Sequence, residues 1–141
     1  MLRWSEVEAM RRTGTFEFHS HTHTHTRWDK SPADISRRIA ALTEDIDESR
    51  RTLQARLGGV SRHLCWPQGY YEPAYVEAAC AVGFDHLYTT AKRPNLRGGD
   101  SRFIGRVVTK ERPGSWLGRR LAIYRSPILS RLYSTLRGEN E

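Results

Sequence analysis

Apolar residues recur at helical spacing through the first half of the chain. Ile35, Ile39, Leu42, Ile46, Leu53 and Leu57 lie four, three, four, seven and four residues apart. That pattern predicts one apolar face of a long amphipathic helix, with a charged, solvated face opposite. Ser31-Pro32-Ala33-Asp34 predicts its start, with Ser31 as N-cap, and Gly58-Gly59 predicts its end. An earlier helix is expected from a capping box at Ser5-Glu6-Val7-Glu8, with Ser5 as N-cap, running to about Thr13 and stopped by Gly14.

Shorter apolar runs lie between the helical patterns. Thr15 to His21, Val60 to Trp66 and Phe84 to Thr90 read as strands, and Arg102 to Thr109 as a last one. Pro67-Gln68-Gly69-Tyr70-Tyr71 forces a turn after the second strand. Pro73 then opens a helix over Ala74 to Val82, which Gly83 closes. Helix and strand alternate three times, which argues for a parallel sheet or barrel with helices outside. One or two further helices are predicted after Pro113-Gly114, through Leu117, Leu121, Tyr124, Ile128, Leu132 and Leu136.

Composition sharpens this picture in one place. The chain of 141 residues is long enough for one domain with a sizeable core, and its formal charge is +7. Residues 91–138 hold twelve Lys or Arg against Asp100 and Glu111, a net of +10, so the rest of the chain carries −3. The basic character is therefore local, and it favours anionic partners or surfaces. Cys65 and Cys80 have no metal-binding spacing and suggest no disulfide framework. No run of 18 apolar residues predicts a membrane-spanning helix, and Met1 to Glu6 does not read as a signal peptide. The compartment stays unassigned.

The chemistry concentrates in Phe16 to Thr26, which holds His19, His21, His23 and His25, four of the six histidines. Neutral imidazole is the commonest protein ligand for zinc-like metals. In an extended strand all four rings share a face, and neighbours two apart sit roughly 6.7 Å apart. If the chain curls after His21, residues four apart come together instead, pairing His21 with His25 or His19 with His23. Spacing alone leaves both pairs open, beside the plainer reading of a solvated His/Thr tract that binds metal loosely. His63 and His86 fall on predicted strands and are expected to be packed there rather than to bind metal.

Trp4 to Met10, Thr13-Gly14, Phe16-Glu17-Phe18 and Ser20-His21-Thr22-His23-Thr24-His25 resemble the region of the second motif of polysaccharide deacetylases, the NodB-homology group of carbohydrate esterase family 4. That motif is His-[Ser/Thr]-x-x-His, and the resemblance implies that His21 and His25 bind a divalent metal ion, with zinc the expected one. The register His19 with His23 fits the same pattern, but Ser-His-Thr-x-Thr-His is the commoner family form. Leu64 to Tyr71 resembles the third motif, a turn lining the substrate groove, which assigns Trp66, Pro67, Gln68, Gly69 and Tyr70 to substrate binding. Gln68 stands where the family usually has Tyr. A backbone N–H near Gln68 is the expected oxyanion donor, with Trp66, Tyr70 or Tyr71 stacking on sugar rings. Phe84 to Thr90 resembles the strand that follows.

The resemblance implies an α/β fold, a partial distorted (β/α) barrel of the glycoside hydrolase/deacetylase type with a basic helical C-terminus. Residues 1–110 are expected to form a partial deacetylase domain and residues 111–141 a basic helical extension. The implied activity is metal-dependent removal of N-acetyl groups from amino-sugar polymers, with an N-acetylated polysaccharide or oligosaccharide as partner. The family's opening Thr-Phe-Asp-Asp-Gly motif, source of a metal ligand and the general base, has no match in this sequence. No histidine follows His86, so the late histidine motif of the family, source of its general acid, has no match either. The expectation is an N-terminally truncated chain, incomplete or inactive alone, whose uncovered sheet edge promotes self-association. The rival reading is a non-enzymatic basic module whose C-terminal helices contact nucleic acid or an anionic membrane surface. No nucleic-acid-binding motif supports the first of those partners, so none is expected. Membrane-surface contact through the same helices is also compatible with the deacetylase reading.

Overall fold

The computed structural model describes residues 2–109 and 111–137. Helix α1 spans Trp4–Arg12, α2 Ile35–Leu57, α3 Pro73–Val82, α4 Gly114–Arg125 and α5 Pro127–Arg137, while strands β1 and β2 are His63–Cys65 and His86–Tyr88. Both predicted N-caps shift. In α1 the cap is Arg3, whose N–H donates to the Glu6 carboxylate at 2.6 Å, and Glu8 instead pairs with Arg11 and Arg12. In α2 the cap is Asp34, whose carboxylate accepts the Arg37 N–H at 3.0 Å. Ser31 lies before the helix and accepts the Ala33 N–H there. Of several suitable side chains, the cap is the one three residues ahead of a free helical N–H. Gly58 and Gly83 close α2 and α3 in the left-handed conformation, as their positions predict.

β1 and β2 pair in parallel, matching His63 with His86, Leu64 with Leu87 and Cys65 with Tyr88. Ser20 adds one parallel bridge to Leu64, and Ile104 one to Tyr88. The order across the sheet is thus Ser20, β1, β2, Ile104. The outer strands predicted at Thr15 to His21 and Arg102 to Thr109 contract to these single bridges. Past Ser20 the chain curls into the histidine loop, and a 3-10 turn at Ser101–Phe103 leads directly into Ile104. The architecture is α/β and parallel, and among the described residues the sheet is open.

Side chains alternate across a strand. Leu64 and Leu87 point toward α2 and α3, where they join Leu42, Ile46, Trp66, Tyr75, Val76, Ala79 and Phe84 in one buried cluster. Fully burying a side chain of this size stabilises the fold by roughly 1.5–3 kcal/mol. Arg38 on α2 reaches Glu72 at 3.2 Å, and Arg50 donates to the carbonyl of Val82, so polar ties flank the packed α2 and α3. The opposite sheet face carries His63, Cys65, His86 and Tyr88, all half-buried. The C-terminal helices pack on each other through Tyr124 and Tyr133, whose rings meet edge-on at 6.3 Å, and through Arg120 over the Tyr133 ring at 4.5 Å. A cavity of about 1110 Å³ separates Ser130, Arg131 and Thr135 of α5 from the loop at 90–104.

Candidate metal centre and groove

Two left-handed residues shape the histidine loop. Thr22 has φ 64° and His25 has φ 59°, and neither is glycine. Such backbone costs about 1–2 kcal/mol per residue and needs support from its surroundings. Asp45 of α2 gives that support. Its buried carboxylate accepts the Thr24 N–H at 2.9 Å and, more weakly, the His23 N–H at 3.4 Å. Thr22 Oγ1 accepts the His25 N–H at 3.2 Å, and the Ser20 and Ser49 hydroxyls meet at 2.7 Å beneath the loop.

The curl brings His21 and His25 together, with ring centroids 4.9 Å apart in an edge-on arrangement. His21 Nδ1 lies 2.7 Å from the carbonyl oxygen of Cys65. A carbonyl only accepts, so Nδ1 carries the proton and Nε2 keeps its lone pair. This is the arrangement that prepares a histidine for metal, with the second ring nitrogen held by an outer partner. The two rings therefore fit a shared divalent cation as donors. Among the described residues no group of three or more His, Cys, Asp or Glu is arranged to hold a metal ion, so the pair stands without a third protein ligand there.

His19 and His23 are not brought together in this way. His19 stacks on His63 at 4.7 Å and bonds the Ser61 hydroxyl at 2.7 Å, while the His23 side chain is exposed beside Glu48. His63 in turn stacks on His86 at 4.5 Å and bonds the Tyr88 hydroxyl. Burial, followed by the neighbouring His19 and His86, pushes the His63 pKa below its ordinary value. His86 bonds Asp85 at 2.7 Å. The two strand histidines are thus packed partners across the ladder.

The turn after β1 is a 3-10 turn at Pro67–Gly69, with Gln68 at φ 53° and Gly69 at φ 78°. Trp66 and Pro67 are buried, and the Trp66 ring stacks on Tyr71 at 6.3 Å inside the core. The expected sugar-stacking face of Trp66 is therefore covered: two residues beyond Leu64, it falls on the same helix-facing side of the sheet. Tyr71 is packed against Phe103 as well. Tyr70 is exposed, and Arg27 lies over its ring at 3.4 Å from the centroid. Arg27 also donates to Gln68 Oε1 at 2.7 Å and grips Asp29 through bonds of 2.6 and 2.5 Å. That grip holds the Asp29 carboxyl below the usual range. Thr22, Thr26, Arg27, Asp29, Trp66 and Tyr70 border a cleft of about 10 Å³, room for one water. The indole N–H groups of Trp28 and Trp66, both on this cleft, have no acceptor among the described residues.

Asp45 and Arg27 carry much of this geometry, and the motif reading did not single them out. A signal for Asp45 exists: it lies three residues after Leu42 and one before Ile46, inside the stripe that the periodicity buries. A buried carboxylate there needs donors. Arg27 has no comparable signal: Asp29 is a sequence neighbour, but Gln68 and Tyr70 come to it only through the fold.

Residues 2–87 match the polysaccharide deacetylase family model. The chain belongs to the polysaccharide deacetylase family. Among solved structures it is similar to a de-N-acetylase from Aggregatibacter actinomycetemcomitans, with TM-score 0.75 and 23% identity over 86% of this chain and 53% of that one. It is also similar to IcaB from Ammonifex degensii, with TM-score 0.70 and 27% identity over 89% and 54% of the two chains. The deacetylase domain of BpsB from Bordetella bronchiseptica matches at TM-score 0.65 and 18% identity, over 75% and 48%. This chain thus spans about half the length of these structures. No curated protein matches it.

Proposed function

We propose that this chain is the metal-holding and groove-forming part of a metal-dependent hydrolase that removes N-acetyl groups from amino-sugar polymers. His21 and His25 are the ligands of a divalent cation, zinc by the preference of paired imidazoles. The observation that carries the reading is the bond from His21 Nδ1 to the Cys65 carbonyl, with the His25 ring 4.9 Å away. It lies inside the span that matches the family. In this reading residues 1–110 are part of a distorted (β/α) barrel, and residues 111–141 form its basic extension.

A bound cation supplies Lewis-acid polarisation of the acyl carbonyl. The chain's own groups do the rest of the positioning. Gly69 and Tyr70 use their N–H groups on the carbonyls of Trp66 and Pro67. Proline has no N–H, so the Gln68 amide is the turn donor for a substrate oxyanion. Arg27 fixes the Gln68 side chain and one face of Tyr70, which leaves the other face of that ring to a sugar. Asp29 makes a poor general base, because Arg27 favours its ionised form and lowers its proton affinity. The chain therefore binds metal and oligosaccharide but turns over slowly alone.

Zinc titration by calorimetry tests the ligands. His21→Ala and His25→Ala each weaken binding at least about tenfold, since even an outer-shell partner of a metal ligand is worth about 10- to 100-fold. His19→Ala and His23→Ala stay near the parent. Sensitivity of His19 and His23 instead would overturn the ligand assignment. Acetate release from N-acetylglucosamine oligomers stays near background, and rapid zinc-dependent release would show that a residue of this chain serves as base.

A further inference from the structure

The C-terminal helices present a surface that the deacetylase reading leaves unused. On α5, Ser130 and Tyr133 face inward, Ser130 buried and Tyr133 against α4. At 100° per residue, Ile128, Leu132, Leu136 and Leu129 form a stripe on the outer side. All four are 52% to 85% exposed, and Leu121 of α4 is 54% exposed. Arg119 and Arg125 of α4, both exposed, accompany this stripe on the neighbouring helix. The surrounding segment, 91–138, has a net charge of +10.

We propose that the outer face of α4 and α5 docks on an anionic lipid bilayer surface, with the apolar stripe of α5 entering the headgroup layer and the arginines pairing with lipid phosphates. Two features select this occupant. A second copy of the chain would bring two strongly cationic segments together, which opposes association. A nucleic acid would meet the arginines but leaves a row of exposed Leu and Ile in water. An anionic bilayer accepts both, as amphipathic cationic helices require. None of the helices is long and apolar enough among the described residues to cross a membrane, so the contact lies in the plane of the surface.

The test is co-sedimentation of the full chain with vesicles of phosphatidylcholine, alone or mixed with phosphatidylglycerol, with duplex DNA as competitor. The chain pellets with the anionic vesicles, weakly with phosphatidylcholine, and less as salt rises. Ile128→Ser with Leu132→Ser, and separately Arg119→Glu with Arg125→Glu, each reduce binding on the order of tenfold or more. All four positions are exposed, and an unchanged melting curve verifies that the variants fold. Equal binding to both vesicle types overturns the proposal. So does vesicle binding that the serine pair leaves intact and DNA displaces, which would mean charge alone. A dimer that the serine pair dissolves, without vesicle binding, assigns the face to a second copy instead.

Discussion

Removing the Asp45 carboxylate tests whether the histidine pair is held in place or merely nearby. Asp45→Ala deletes a charged acceptor from the Thr24 N–H at 2.9 Å and the His23 N–H at 3.4 Å. A hydrogen bond to a charged group contributes about 1.5–3 kcal/mol, and the longer contact adds little. The loop also loses its support for two left-handed non-glycine residues, Thr22 and His25. Loop order is thus weakened by about 2–3 kcal/mol. If zinc binds only the curled loop, apparent affinity falls with the population of that form, by up to about 30- to 150-fold. Asp45→Asn keeps one acceptor oxygen for Thr24 and shows a smaller loss. Calorimetric zinc titration measures both, with urea unfolding to separate loop from global effects. Parent-like zinc affinity in a folded Asp45→Ala would refute the claim that this carboxylate organises the site.

Two further perturbations probe the surroundings. A Cβ added at Gly69 would lie 2.8 Å from Thr90 Cβ, and the residue sits at φ 78°. Gly69→Ala therefore costs about 2–5 kcal/mol, from left-handed backbone and overpacking together. A double-mutant cycle with Thr90→Gly recovers the packing part only, as read from urea midpoints. The second concerns acid. Because the folded pKa of His63 is depressed, the unfolded chain binds the proton more readily. Stability from this group is full above about pH 6.5 and is lost as pH falls through the folded value. His63→Phe flattens that part of the profile of unfolding midpoint against pH, and an unchanged slope would assign it elsewhere.

Much of the helical framework is legible in the sequence because its signals are local. The stripe of α2, Pro73 ahead of α3, and Gly58 and Gly83 at the helix ends each act within a turn or two. Strand lengths are less legible, since a ladder extends only where a neighbour runs alongside. Thr15 to His21 has strand composition, yet pairs only at Ser20. The site divides in the same way. The histidine tract is conspicuous, but the curl that selects His21 with His25 comes from Thr22 and His25 in a backbone region that neither residue type announces. Trp66 was open to a firmer reading, because strand alternation places it with Leu64 and therefore in the core.

The anchor of His21 is a main-chain oxygen, and that changes which alterations the site can tolerate. Any side chain at position 65 that keeps the strand brings the same carbonyl to Nδ1, so Cys65→Ala or Cys65→Ser leaves the imidazole oriented as before. A deletion of one residue between Gly59 and His63 is different in kind. A one-residue slip in β1 turns every side chain to the other face. It would present a different carbonyl to the ring and carry Trp66 out of the core at the same stroke. The geometry of the histidine pair is in this sense written in chain length rather than in residue type.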